Sequence, residues 1–128
     1  MPVLRPWMWW VLRFAGTYNL LAGLTMLVFY HEAYRALGVP RPALVLPLQL
    51  VGMLVALFGV GYHLVANAPW RNRNLLLLGF WSKLLGSVMA VYTVARGQLR
   101  PDFLVLVFFS DMIYLPPFWA ILRHFRNR

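Results

Sequence analysis

Residues 79 to 92 read GFWSKLLGSVMAVY, an apolar stretch suited to the interior of a lipid bilayer that has a lysine, Lys83, near its middle. A helix that crosses a bilayer needs about 17 to 25 mainly apolar residues. The chain contains four segments of that kind, at about 14–30, 44–66, 75–95 and 103–122. We therefore predict an all-α, polytopic membrane protein with four transmembrane helices in a single domain, residues 1–128.

The composition supports a membrane protein. Of the 128 residues, 62% are hydrophobic and 12% are charged, whereas soluble domains have about 45 to 50% and about 25%. The net charge of +9 could indicate a nucleic-acid partner. The arginines, however, lie in short clusters between apolar segments, where they suit lipid headgroups, so we expect membrane lipids and no nucleic acid as partners. The absence of cysteine excludes disulfides and thiolate metal sites.

The distribution of arginine predicts the orientation in the membrane. Four spans place both termini on one side. That side would hold seven arginines against four on the other, namely Arg5, Arg13, Arg71, Arg73, Arg123, Arg126 and Arg128 against Arg35, Arg41, Arg96 and Arg100. Because positive charge accumulates on the cytoplasmic side, we expect cytoplasmic termini. In the first external loop, EAYRAL followed by Gly38 predicts a short interfacial helix that ends there.

The first and third predicted helices resemble one another. At an offset of 63 residues, Gly16 aligns with Gly79 and Gly23 aligns with Gly86. The match suggests two repeated hairpins in parallel orientation. Chance similarity between glycine-containing membrane helices is the alternative, since the second and fourth helices align poorly.

Polar residues share helix faces with these glycines. By the helical repeat, Asn19 lies on the glycine face of the first helix, and Ser82 and Lys83 lie on that of the third. On the second helix, spacings of three and four residues produce one stripe of Gln49, Gly52, Ala56, Gly59 and His63. Small residues allow close helix packing in lipid, so we expect these faces to meet inside the bundle.

The fourth helix adds Ser110 and Asp111 near its middle. A charge at the bilayer centre costs about 2.5 to 3.5 kcal/mol on insertion scales and is normally paired or faces water. At 1.5 Å of rise per residue, the axial separation of Lys83 and Asp111 is about 6 Å, which a lysine stem can span. Three readings stay open: a structural ion pair, a polar pocket for a ligand or a proton, and an unpaired Lys83 that extends to the cytoplasmic surface.

Pro116 and Pro117 follow Asp111 by about one turn. Each proline disturbs the carbonyl four residues earlier, so we expect free carbonyls at Met112 and Ile113 and a kink near Asp111.

Cofactor sites are not indicated. His63 and His124 both lie near the predicted cytoplasmic headgroups, where a haem would hardly be buried. His31 and Glu32 lack a third metal ligand. No phosphate loop, nucleophile elbow or zinc motif occurs, and we expect neither cofactor, metal nor enzymatic activity.

The chain resembles the small four-helix bacterial membrane proteins of the DoxX-like kind. The likeness extends over most of the chain and depends on a first helix with paired glycines and Asn19 and on three short motifs, which are G-Y-x-L-x-A from Gly61 to Ala66, K-x-x-G at Lys83 and Gly86, and S-D with prolines and Phe118 from Ser110 onwards. The resemblance implies a prokaryotic inner-membrane protein and assigns no activity.

Two functions are consistent with these patterns. The first is a small accessory or structural subunit of a larger membrane complex or of a homo-oligomer, because four short helices leave much apolar surface for contact. The alternative is a carrier or binding protein for a small hydrophobic or weakly acidic ligand. Its site would be formed by the polar residues of the helix faces, namely Asn19, Gln49, His63, Ser82, Lys83, Ser110 and Asp111.

Overall fold

The computed structural model describes residues 3–38, 40 and 43–126, and in this part of the chain all regular structure is helical. Arg41 and Arg128, which contribute to the predicted orientation, lie outside the described residues. The helices are α1 (Pro6–Leu27), α2 (Tyr30–Leu37), α3 (Leu46–Asn67), α4 (Arg73–Ala95), α5 (Phe103–Ser110) and α6 (Leu115–His124), with a 3-10 turn at Met112–Tyr114 between the last two.

Three helical segments have the length and hydropathy needed to cross a membrane: α3, α4 and the segment Phe103–His124 that joins α5 to α6. Helices α1 and α2 form a fourth candidate only when they are taken as one span, and they are bent by 95° relative to each other. The structure therefore agrees with a multi-pass membrane protein of three or four spans.

The boundaries of the first two helices differ in part from those predicted. Helix α1 begins at Pro6 rather than near residue 14, because proline suits the first turn of a helix and the tryptophans after it continue the helical run. Helix α2 is the predicted interfacial helix. It ends at Gly38, whose φ of 68° is a left-handed conformation that glycine adopts without strain.

Helices α1 and α3 pack closely through glycines. A β-carbon placed on Gly59 would lie 2.6 Å from the carbonyl oxygen of Gly16, and one on Gly52 would lie 2.9 Å from that of Gly23. At the end of the stripe, Nε2 of Gln49 donates to the carbonyl of Leu27 at 3.2 Å. The α3 stripe therefore faces α1, as its spacing predicts. The α4 glycines that align with those of α1 have other neighbours: Gly79, for example, faces the ring of Tyr62 on α3.

Packing is uneven along the bundle. The buried apolar side chains lie in the half that contains both ends of the described chain, where Nε2 of His124 donates to the carbonyl of Val3 at 2.9 Å. They are Met8, Leu12, Ala15, Tyr62, Val65, Ala66, Leu76, Tyr114, Phe118, Ile121, Leu122 and Phe125. Helix α5, by contrast, has no buried residue. The opposite half of the bundle is therefore the more open one.

Candidate functional site

Lys83 and Asp111 form an ion pair inside the bundle. Nζ of Lys83 lies 3.3 Å from Oδ1 of Asp111, and Lys83 is only 4% exposed. The Asp111 side chain is 29% exposed. Of the three sequence-based readings, an unpaired lysine that extends to the surface does not agree with this geometry.

Two further acceptors hold the ammonium group. The carbonyl of Ser110 lies 2.8 Å from Nζ of Lys83, and Oδ1 of Asn19 lies 3.4 Å from it. An ammonium group has three N–H donors, so each can be assigned to one of these acceptors or to Asp111. The rings of Tyr114 and Tyr62, with centroids 4.9 and 5.6 Å from Nζ, add cation–π attraction.

The Ser110 carbonyl is available because the last span breaks at Asp111. In a continuous α-helix this carbonyl would accept from the amide of Tyr114. Here the chain tightens into a 3-10 turn, and the Tyr114 amide donates to the carbonyl of Asp111 at 3.2 Å instead. The broken helix therefore presents a free acceptor to Lys83.

The expectation of a free carbonyl at Met112 needs correction. The Met112 carbonyl accepts from the amide of Leu115, and the carbonyl that reaches the site is that of Ser110. Pro116 and Pro117 lie in the first turn of α6, where their missing N–H groups cost no helical hydrogen bond. The prolines thus begin a new helix, and the break falls before them, at Asp111.

A cavity of about 210 Å³ adjoins the ion pair. Five of the seven predicted site residues line it: Asn19, Ser82, Lys83, Ser110 and Asp111. Its remaining walls are Tyr18, Ala22, Met26, Val55, Phe58 and Tyr62. The helix faces chosen from the sequence therefore do meet at a common space.

Gln49 and His63 lie elsewhere, between α1 and α3. Nδ1 of His63 is 2.9 Å from a guanidinium nitrogen of Arg13, and Nε2 is 3.3 Å from the hydroxyl of Thr17. The other terminal nitrogen of Arg13 donates to the side-chain carbonyl of Asn67. Because the glycines bring α1 and α3 into contact along the stripe, its polar ends bond across that interface and do not reach the cavity.

The tyrosines around the cavity were not identified from the sequence. The hydroxyl of Tyr18 lies 2.7 Å from that of Ser110, so α1 and the last span are joined beside the ion pair. Tyr62 packs on Gly79, where a β-carbon would come within 2.6 Å of its hydroxyl oxygen. The positions of Gly79 and Lys83, one turn apart, were a signal that a bulky group lies over the lysine.

A second, larger cleft adjoins the cavity. Its volume is about 590 Å³, and its lining is mostly apolar. It lies between α1 and α5, beneath α2, with Leu37, Leu48, Phe103 and Leu106 among its walls. Tyr18, Ala22, Met26 and Ser110 line both spaces. The polar cavity and the apolar cleft are therefore neighbours that share one wall.

No metal-ion site is formed within the described ranges 3–38, 40 and 43–126, since no three His, Asp or Glu side chains there come together. The two histidines weighed as haem ligands have protein partners, His63 as described above and His124 at the Val3 carbonyl. What the site offers is one ion pair, several hydroxyl groups and an adjoining apolar space.

No family model, curated protein or solved structure matches this chain. The resemblance to DoxX-like proteins therefore stays a prediction, and the functional argument depends on the geometry of the site.

Proposed function

We propose that this protein binds a small ligand within the membrane, in the polar cavity around Lys83 and Asp111. One observation carries the proposal: the intramembrane ion pair adjoins a cavity of about 210 Å³ instead of being packed on all sides. A buried ion pair recovers its desolvation cost only with good geometry and further hydrogen bonds. Paired charges within membrane segments also commonly mark ligand or ion pathways.

The proposed setting is the inner membrane, with four spans arranged as two repeated hairpins and both termini on the cytoplasmic side. Hydrogen bonding of His124 to Val3 supports a common side for the two ends. The excess of arginine in the terminal segments and in the loop between α3 and α4 supports the cytoplasmic assignment. The alignment of Gly16 and Gly23 with Gly79 and Gly86 supports the repeat.

A cavity-filling variant tests the proposal directly. Ala22 lines the cavity without contributing a polar side chain, so Ala22→Leu should occupy the space and leave the ion pair intact. The protein would be purified in a mild detergent, and small molecules retained by it would be identified by native mass spectrometry. We expect a retained small molecule with the unchanged protein and at least tenfold less of it with Ala22→Leu.

The matched control is Leu21→Phe. Leu21 is the neighbouring residue, is 61% exposed and lines neither space. This variant should retain the ligand fully. Equal retention by Ala22→Leu and the unchanged protein would overturn the proposal. Should Ala22→Leu fail to fold, Met26→Phe narrows the same cavity from one helical turn away and allows the same comparison.

The second candidate function is a subunit of a larger membrane complex or of a homo-oligomer. Helix α5 favours it, because an apolar helix with no buried residue leaves its surface free to pack against a partner. The same purification separates the two candidates. A partner protein, or a second copy of the chain, that remains bound after Ala22→Leu would favour the subunit, whereas a small molecule displaced by Ala22→Leu would favour the binding protein.

A further inference from the structure

We propose that the ligand is an uncharged amphiphile with a hydroxyl head, whose head bonds Asp111 in the polar cavity and whose hydrocarbon chain lies in the apolar cleft beneath α2. This inference rests on the proposed function and specifies the chemical class of the ligand. It also replaces the weakly acidic ligand that the sequence suggested.

The charge balance of the cavity favours an uncharged head. The cavity is lined by one ammonium group and one carboxylate, which lie 3.3 Å apart, and by no other charged side chain of the described residues. Their charges cancel. An anionic head would enter a neutral, low-dielectric space and would compete with Asp111 for the same ammonium, so it would lose hydration without gaining a free counter-ion.

The hydrogen bonds within the site favour a hydroxyl. Three acceptors already surround the ammonium of Lys83, which leaves it little capacity for a ligand. The carboxylate of Asp111 can accept several hydrogen bonds, and its side chain is 29% exposed. In the Tyr18–Ser110 pair, 2.7 Å apart, one hydroxyl donates to the other and the second keeps its own proton. A ligand hydroxyl can therefore donate to Asp111 and accept from this pair.

The adjoining cleft favours a hydrocarbon chain. Its volume of about 590 Å³ falls in the range of about 300 to 1,000 Å³ that is typical of small-molecule sites. Leu48 of α3, Leu106 of α5 and Leu37 of α2 contribute apolar walls. Because Tyr18 and Ser110 line both spaces, a head bonded beside them places an attached chain at the mouth of the cleft.

The test uses a long-chain primary alcohol that carries a photoreactive diazirine in its chain. The unchanged protein is placed in phosphatidylcholine nanodiscs and irradiated with this probe, and labelled residues are mapped by mass spectrometry. Competitors are the unlabelled alcohol and the fatty acid, alkylamine and alkane of the same chain length. We expect labelling in the cleft, at Leu37 or Leu106, and competition by the alcohol at least tenfold stronger than by any other competitor.

Variants test the contacts of the ligand's head and those of its hydrocarbon chain separately. Replacing Lys83 by Met together with Asp111 by Asn should weaken labelling by the alcohol at least tenfold and remove the preference for alcohol over acid. Leu48→Trp narrows the cleft and should reduce labelling by a similar factor. Its control, Leu50→Trp, changes an exposed residue of the same helix that lines neither space, and should have no effect.

The outcomes distinguish this inference from the proposed function. Preference for the acid or the amine, with displacement by Ala22→Leu, would overturn the hydroxyl class and leave the site in place. Loss of labelling with Ala22→Leu but not with Leu48→Trp would show that the hydrocarbon chain of the ligand does not lie in the cleft. If no competitor is preferred over the alkane and Ala22→Leu changes nothing, both proposals fail.

Discussion

The carbonyl oxygen of Ser110 lies 2.8 Å from the ammonium nitrogen of Lys83, closer than the carboxylate of Asp111 at 3.3 Å. The lysine is thus bound by the backbone of a broken helix as well as by an opposite charge. Removal of the lysine would leave three buried or half-buried acceptors, on Ser110, Asn19 and Asp111, without their donor. Removal of the carboxylate alone would leave the lysine two acceptors, those of Ser110 and Asn19.

The ion pair should therefore respond unequally to substitution of its members. We expect Lys83→Met to lower the free energy of unfolding by about 3 to 5 kcal/mol, because it leaves the half-buried carboxylate of Asp111 without its counter-ion and the acceptors of Ser110 and Asn19 without their donor. Asp111→Asn should cost less, about 1 to 3 kcal/mol, since an amide oxygen still accepts a hydrogen bond. The double variant should cost less than the sum by about 0.5 to 3 kcal/mol. Tryptophan fluorescence during titration with a denaturing detergent measures all three, and strict additivity would contradict the pairing.

The prolines should maintain the break that exposes the Ser110 carbonyl. With Pro116 and Pro117 both changed to Ala, α5 and α6 can continue as one helix, and the Tyr114 amide can return to Ser110. We expect carbon chemical shifts at residues 112–114 to move toward α-helical values. Pro47→Ala is the control, since Pro47 also lies in the first turn of a helix but is not preceded by a broken span. Unchanged shifts would show that Asp111, and not the prolines, determines the break.

Replacement by alanine of two glycines of α3, two residues apart, should change the stability of the protein in opposite directions. A β-carbon on Gly59 would lie 2.6 Å from the Gly16 carbonyl, whereas one on Gly61 meets no atom within 4 Å. We expect Gly59→Ala to destabilise the protein by about 1 to 3 kcal/mol by forcing α1 and α3 apart. Gly61→Ala should stabilise it by about 0.5 to 1 kcal/mol through lower backbone entropy. Thermal unfolding in detergent compares them, and equal midpoints would contradict close packing of α1 on α3.

The hydroxyl groups of two tyrosines near Lys83 should differ in their contribution to stability. The buried hydroxyl of Tyr114 has no hydrogen-bond partner among the described residues, whereas that of Tyr18 pairs with Ser110. Tyr114→Phe should leave stability unchanged or raise it, because it removes a polar atom that is buried without a partner. Tyr18→Phe should cost about 0.5 to 1.5 kcal/mol, the usual net value of a hydrogen bond. A larger loss for Tyr114→Phe in the same unfolding measurement would refute this assignment.

Helical periodicity and charge together predicted most of the polar residues that line the cavity. The repeat of 3.6 residues placed Asn19, Ser82 and Lys83 on inward faces, and opposite charge linked Lys83 to Asp111. All four of these residues line the cavity. The same repeat placed the Gln49–His63 stripe on one face of α3, but periodicity does not say which neighbour that face meets. That face meets α1, because glycines on both helices permit contact along their length.

The parts that could not be predicted depend on tertiary contacts. Tyr18 and Tyr62 reach the site only because α1, α3 and the last span converge beside Lys83. Free carbonyls were predicted at Met112 and Ile113 from the effect of proline within a continuous helix. The chain instead starts a new helix at Leu115, and the carbonyl that is left for Lys83 is that of Ser110. A polar pocket was one of the three sequence-based readings, but a sequence does not give the dimensions of empty space, so the volume of the cavity and the presence of the cleft could not be predicted.

The break at Asp111 divides one apolar span into two helices that differ in how firmly they are packed. Helix α6 is held by the buried side chains of Phe118, Ile121 and Leu122, whereas α5 buries none of its own. Local opening is least costly where few apolar contacts are lost. Thermal motion should therefore displace α5 about a joint at Asp111 while α6 stays in place, so that the carboxylate lies where a loosely held segment meets a firmly packed one.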